Sequence, residues 1–429
     1  MRKLKVGTFF AFYTAATQVE EFMKSVSYII NAGKKPSRQA AGLAPYSLEE
    51  AARAQAFHES FAEYAPTPLV RLRALAADLG LGGVFVKDES KRFGLNAFKV
   101  LGGAYAMGRY LAAKLGTPIE SLTREKLCSP EVRQKLGDIT FVTATDGNHG
   151  RGVAWTAQQL GQKAVVFMPK GSARARAENI RKTGATCTVT DLNYDDAVRL
   201  ANQYAEAHNG VMVQDTAWEG YEDIPRWIMQ GYMTLAHEAA QQLREYGVAR
   251  PTHLFLQAGV GSFAGAVLGY FAARLGEETP VTTIVEPRLA DCIYGSLKAA
   301  DGSPHAVTGH MPTIMAGLAC GEPSTVSWNV LRDYATASLA CDDCIAANGM
   351  RILASPHTAD APVVSGESGA VTVGALEYIM KHESMAELRE ALGLNARSQV
   401  LLVSTEGDTS PEMYRNIVWY GQHPCQEEE

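Results

Sequence analysis

Lys99 closes the segment Leu95-Asn96-Ala97-Phe98-Lys99 and is followed by Val100-Leu101-Gly102-Gly103. Asn96 can cap a helix that begins at Ala97, which puts Lys99 in the first helical turn. The helix dipole is positive there and disfavours an ammonium. A lysine so placed suits a nucleophile or a Schiff-base former. Gly102 and Gly103, where a helix would prefer alanine, let another group approach the backbone closely. Two acids could serve such a lysine. Asp146 lies in Thr143-Ala144-Thr145-Asp146-Gly147-Asn148-His149-Gly150, and Asp215 in Gln214-Asp215-Thr216-Ala217-Trp218, each directly after an apolar strand. Open α/β sheets bind ligands at the carboxyl ends of strands. The backbone N–H groups that open the following helix can hold a carboxylate. Taken singly, each acid reads at least as well as a helix or turn cap.

A second element of the chemistry is the loop Ala258-Gly259-Val260-Gly261-Ser262-Phe263, which joins a strand to a helix. Its glycines let backbone N–H groups cradle a phosphate. Followed by a strand that ends at Glu286, the same loop also fits a dinucleotide site, but that reading leaves Lys99 and Asn148 without a task. Ser404-Thr405-Glu406-Gly407-Asp408 closes the last strand. On these segments, from Ala65 to Tyr420, the chain resembles the fold-type II pyridoxal 5'-phosphate (PLP) enzymes, the tryptophan synthase β-subunit-like family. Within it, Lys87-Asp88-Glu89-Ser90-Lys91-Arg92-Phe93-Gly94-Leu95-Asn96-Ala97-Phe98-Lys99 and the stretch from Gln214 to Tyr221 are similar to the 2,3-diaminopropionate ammonia-lyases.

The resemblance implies a role for each residue. Lys99 carries the cofactor as a Schiff base, beside Phe98. Asn148 meets the phenolic oxygen, and Gly259, Val260, Gly261, Ser262 and Phe263 hold the phosphate. Glu286 lies near the ring, and Ser404 or Thr405 meets the pyridine nitrogen. Thr145, Asp146 and Gly147 grip the substrate, with Asp215 also in the site. The implied reaction is α,β-elimination of D- and L-diaminopropionate to pyruvate and two ammonia, with Lys99, Asp146 and Asp215 catalytic. A cytoplasmic homodimer is implied as well. Most dehydratases of this fold have serine where this chain has Asp146. A carboxylate beside the substrate's own is costly unless a cation is near, and a second substrate ammonium supplies one. A serine or threonine dehydratase of the same fold, an NAD(P)-dependent oxidoreductase and a non-catalytic PLP- or amino-acid-binding protein are the alternatives.

The elements that must position these residues follow from pattern and composition. A chain of 429 residues is long enough for two domains. Net charge is −6 and no basic block stands out, which argues against nucleic-acid or anionic-membrane partners. Seven cysteines without regular spacing do not make a disulfide framework. Cys341-Asp342-Asp343-Cys344 has no second pair to complete a zinc site, and reads as two small residues on a helix, with a redox role as the alternative. No histidine has metal-ligand spacing. Residues 254–273 carry no charge, but Gln257-Ala258-Gly259-Val260-Gly261 cuts them into a strand and a helix, against a membrane span.

The first 45 residues read as a loosely ordered extension with a faint likeness to a secretory signal. Ser47-Leu48-Glu49-Glu50 is a capping box that opens a helix to Tyr64. Residues 88–96 read as a polar loop. From Ile139 onward, short apolar strands alternate with helices, and 292–359 reads as mostly helical. This is an α/β pattern of mostly parallel sheets covered by helices, and the resemblance implies two open, twisted α/β domains with the site in the cleft between them. The family resemblance divides the chain into a small α/β domain, 101–216, and a large one, 1–100 with 217–429.

Overall fold

The computed structural model describes residues 25–35, 41–145 and 147–425. The signal-like N-terminal stretch and Asp146 lie outside the described residues. Eleven strands are present among them: β1 (Val26–Ile30), β2 (Leu69–Arg71), β3 (Gly83–Asp88), β4 (Thr140–Ala144), β5 (Lys163–Met168), β6 (Thr186–Val189), β7 (Val211–Met212), β8 (His253–Gln257), β9 (Val281–Pro287), β10 (Ala337–Cys341) and β11 (Gln399–Ser404). Seven of them form one sheet in the order β1-β10-β9-β8-β11-β3-β2, and four form a second in the order β6-β5-β4-β7. The smaller sheet is parallel throughout. The larger is parallel except at its two edges, where β1 runs against β10 and β2 against β3.

Burial on both faces explains why the central strands are apolar without alternation. In β8, Leu254 and Leu256 join one core cluster while Phe255 joins the other. In β11, Leu401 and Val403 face the first cluster, and Val400 and Leu402 the second. Successive side chains of a strand point to opposite faces, so each strand knits the two cores together.

Two strands depart from the sequence reading. β1 pairs with β10 from Val26↔Cys341 to Ile30↔Ala337, so part of the expected loose extension is an edge strand. β10 itself interrupts the stretch read as helical. It is one short, fully buried strand, and periodicity does not separate such a run from a buried helix segment. It also splits the C-x-x-C pair. Cys341 ends the strand, whereas Cys344 is on the helix Asp343–Ala354 with its Sγ 2.6 Å from that of Cys425. The uncharged run 254–273 resolves into β8 and a following helix, and no described helix is long and apolar enough to cross a membrane.

Six helices matter for the site: α1 (Leu48–Glu59), α2 (Val100–Leu115), α3 (Asn148–Gln159), α4 (Asp223–Glu245), α5 (Ser262–Leu275) and α6 (Glu367–Lys381). Ser47 caps α1, its Oγ accepting from Glu50 N at 3.2 Å, but the reciprocal half of the box is not made: Ser47 N donates to the Ala44 carbonyl and the Glu50 carboxylate pairs with Arg53 and Arg109. The glycines of α2 meet helices. A Cβ on Gly102 would strike Tyr232 and Ile228 of α4, and one on Gly231 would strike the Leu101 carbonyl. The two backbones therefore touch at a glycine-on-glycine crossing.

The segment read as a polar loop is a 3-10 turn, Glu89–Gly94, and its charges are buried. Lys87 Nζ donates to Glu238 Oε2 and to the Thr67 carbonyl, both at 2.6 Å. Arg92 reaches Glu89 through two 2.9 Å bonds and Glu238 through two of 2.8 Å. Two cations and two carboxylates cancel. Burial alone would raise the Glu238 carboxyl, but Arg92 and then Lys87 outweigh it and hold it at about 2. This neutral cluster ties the end of β3 to the middle of α4, seven residues ahead of Lys99.

Candidate active site

Lys99 sits one residue before α2, at the N-cap position. Asn96 is not the cap. It takes a left-handed φ of 61°, which asparagine tolerates, and its amide donates to Asp408 Oδ1 at 3.1 Å. Lys99 Nζ lies 2.6 Å from Asp215 Oδ2. Burial would raise the Asp215 carboxyl, but the Lys99 charge, the nearby His149 and the Lys99 hydrogen bond hold it down at about 2. The two side chains form an ion pair across the cleft, with Asp215 carried just beyond the end of β7.

The cavity around this pair is walled by Phe98, Asn148 and Thr405 and by the whole loop from Ala258 to Phe263. That loop opens α5, so Gly259, Val260, Gly261, Ser262 and Phe263 all face the pocket at a helix N-terminus. Gly261 has φ of 91°, and a Cβ there would stand 2.8 Å from Leu331 and 2.9 Å from Ser327 Oγ, so only glycine permits this turn. Ser262 Oγ donates to the Asp215 carbonyl at 2.5 Å, which joins the phosphate-type loop to the loop that carries the acid. The Phe98 ring packs against Tyr232 and Phe263, with centroids 4.7 and 4.9 Å apart.

Asn148 Nδ2 donates to Glu406 Oε2 at 2.5 Å, across the cleft from the smaller sheet's helix to the larger sheet's last loop. Thr145 lines the outer part of the same cleft with Lys99, and its Oγ1 accepts from Gly147 N at 2.9 Å and Gly150 N at 3.0 Å. Asp146 falls between these two anchored residues in sequence. His149 is buried in the first turn of α3, not in the preceding loop, and its Nε2 lies 2.8 Å from the Val213 carbonyl, a packed residue.

Two expected residues stand apart from the cavity. Glu286 is fully buried and accepts from Ile293 N at 2.8 Å and Tyr294 N at 2.7 Å, so it caps the helix Cys292–Ala299. Its burial raises the carboxyl well above the ordinary range. Ser404 donates to Ser365 Oγ at 2.8 Å and is not among the cavity walls, which leaves Thr405 as the hydroxyl that faces the pocket. Gln257, Tyr232 and Glu406 also line the cavity and were not singled out from sequence, and so does Ser368, whose segment 365–370 reads from sequence as a helix cap or a piece of the cofactor wall. Gln257 carried a readable signal: a polar side chain closing an otherwise apolar strand at its carboxyl end, where sheets of this kind bind ligands. Cys292 and Cys320 both lie at the glycine loop. Cys292 Sγ is 3.6 Å from the Gly259 carbonyl, and Cys320 lines the cavity.

The parts suit a phosphorylated aromatic aldehyde. A primary amine, a glycine cradle at a helix N-terminus, flanking aromatic rings and a threonine hydroxyl converge on one pocket. Ser368 Oγ, a buried wall atom, has no hydrogen-bond partner there and can accept one from a bound group. No cluster able to hold a metal ion occurs among the described residues.

Comparison with known proteins agrees with this chemistry. The sequence profile of the pyridoxal-phosphate dependent enzymes matches residues 61–406. The diaminopropionate ammonia-lyase of Salmonella typhimurium is 55% identical over 398 residues, covering 92% of this chain and 98% of that protein. Its Escherichia coli K12 counterpart is 53% identical over 379 residues, covering 88% and 93%. The crystal structure of the Escherichia coli enzyme in complex with D-serine superposes with a TM-score of 0.86 at 49% identity, over 93% of this chain and 98% of that one.

Proposed function

The chain belongs to the pyridoxal-phosphate dependent enzymes, and from that premise we propose that it removes both amino groups of 2,3-diaminopropionate, as D- or L-isomer, to give pyruvate and two ammonia. The observation that carries the reading is the Lys99–Asp215 pair, 2.6 Å apart in the cavity walled by the glycine loop. The identity of more than half to proteins of that name over nearly the whole chain supports it.

Bound pyridoxal phosphate supplies an electron sink for charge that develops at the substrate's Cα. Lys99 would hold the cofactor, with Thr405 toward its ring nitrogen, Asn148 toward its phenolic oxygen and the N–H groups from Gly259 to Phe263 toward its phosphate. As a free amine, Lys99 Nζ would be placed to take the Cα proton from one face. Asp146, between Thr145 and Gly147, serves the other face in this reading. The β-nitrogen departs as neutral ammonia only if it leaves carrying a proton. The Asp215 carboxylate can hold the distal ammonium charged until then, and it lies within direct proton-transfer distance of Lys99. A neutral hydroxyl offers no charge for this carboxylate to hold, which sets this site apart from that of a serine dehydratase. A homodimer in the cytoplasm completes the reading, and the small domain is taken as 101–216, the span that contains the four-stranded sheet.

The deciding experiment measures pyruvate and ammonia release by the PLP-loaded protein from D-diaminopropionate, L-diaminopropionate and L-serine. The expected result is preference for diaminopropionate with two ammonia per pyruvate. Faster turnover of serine, or one ammonia per pyruvate, overturns the assignment.

A further inference from the structure

Gln257 is the last residue of β8 and is almost wholly buried. Register pairing between β8 and β11 covers only Val400↔His253 and Leu401↔Leu254. Further along, the Gln257 side chain makes the link. Its Nε2 donates to the Val403 carbonyl at 2.9 Å and to Thr405 Oγ1 at 2.9 Å.

These two bonds fix a polarity. A backbone carbonyl only accepts, so the amide end that faces Val403 is the NH₂ group. Its second N–H then points at Thr405 Oγ1, which must accept. A threonine hydroxyl has one hydrogen, and with an oxygen lone pair so engaged that hydrogen is left to donate elsewhere. Thr405 Oγ1 belongs to a buried residue of the cavity wall, with its backbone carbonyl held by Phe98 N at 3.0 Å. We propose that Gln257 is a positioning residue: by donating to Thr405 Oγ1 it keeps the Thr405 hydrogen off its own amide and turned toward the cavity, free to donate to the ring nitrogen of the cofactor. This rests on the reading above in which Thr405 faces that nitrogen. The alternative polarity is a protonated ring nitrogen donating to Gln257 Oε1, a buried atom without a hydrogen-bond partner.

The test is a double-mutant cycle read by PLP titration of the cofactor-stripped protein and by the visible absorption band of the reloaded protein. Thr405→Val should weaken PLP binding by about threefold to tenfold, the worth of one neutral hydrogen bond. Gln257→Leu should do the same, and the double variant should be no weaker than either single one. Thr405→Ser should retain affinity and spectrum. Gln257→Glu, nearly identical in shape, must be protonated to satisfy Val403 and then accepts from Thr405, so it should shift the band in the same direction as Thr405→Val. Independent losses that multiply in the double variant would overturn the relay and leave Gln257 a purely structural residue. A loss on Gln257→Leu with none on Thr405→Val would overturn it in favour of the protonated ring. Unchanged affinity and spectrum in Thr405→Val, with Gln257→Leu also silent, would instead remove Thr405 from the ring nitrogen altogether.

Discussion

Lys99 and Asp215 hold opposite charges at 2.6 Å, and the low Asp215 carboxyl follows from Lys99 overcoming burial. With Lys99 committed to the cofactor, the Asp215 carboxylate is left to clamp a substrate cation. Asp215→Asn should therefore cost both isomers of diaminopropionate alike, by roughly 10²-fold in kcat/KM if it also supports proton transfer. Asp146→Asn should fall mainly on the D-isomer, since Lys99 serves the opposite face. Steady-state kinetics with both isomers and both variants decides the point, and equal D and L losses in Asp146→Asn would end the two-base scheme. Lys99, the glycine loop and the two acids were legible as candidates because each follows or precedes an apolar strand. The Ser404–Thr405 choice was not legible, because adjacent residues at a strand end point opposite ways and only packing says which faces the pocket.

The cofactor lysine is placed by α2 and by the segment before it, and that segment is fastened by buried charge. Lys87, Glu89, Arg92 and Glu238 are all almost fully buried and satisfy one another. Removing one of the two acids leaves an uncompensated buried cation. Glu238→Gln should lower unfolding free energy by about 3–5 kcal/mol, measured by denaturant titration, as for other broken buried pairs. A loss below about 1 kcal/mol would mean that the cluster behaves as an exposed one. Sequence pattern showed the polarity of this stretch and suggested solvent. The partner, Glu238, is some 150 positions away on α4, and no local rule connects them.

Across the whole molecule, the two sheets meet over the cleft through a few polar contacts: Asn148 to Glu406, Lys99 to Asp215, and Ser262 to the Asp215 carbonyl. Glu367 sits beside them at the start of α6, on the outer cleft wall. Burial, and then the charge of Glu406, raise its carboxyl from 4.5 to about 7. Between those values the unfolded chain gives up this proton while the folded chain keeps it, so folding stability falls as pH rises from 4.5 to about 7 and is level above. Glu367→Gln cannot ionise. Its Tm relative to the parent should climb through that window and then plateau. A difference independent of pH would show that Glu367 titrates like an ordinary carboxylate.

The order of apolar strands and helices, the glycine loop before α5 and the Lys99 segment were set by local pattern, because period, turn chemistry and helix caps act over a few residues. The parallel sheets, too, follow from uninterrupted apolar strands that must be covered on both faces. Three things were decided only by the fold. β1 gained its order from hydrogen bonds to β10, more than 300 positions later. Glu286 became a helix cap, and Gln257 became a wall of the pocket. Each depends on which distant backbone group stands opposite a side chain. That is fixed when strands pair and helices cross, and side-chain type and spacing along the chain do not encode it.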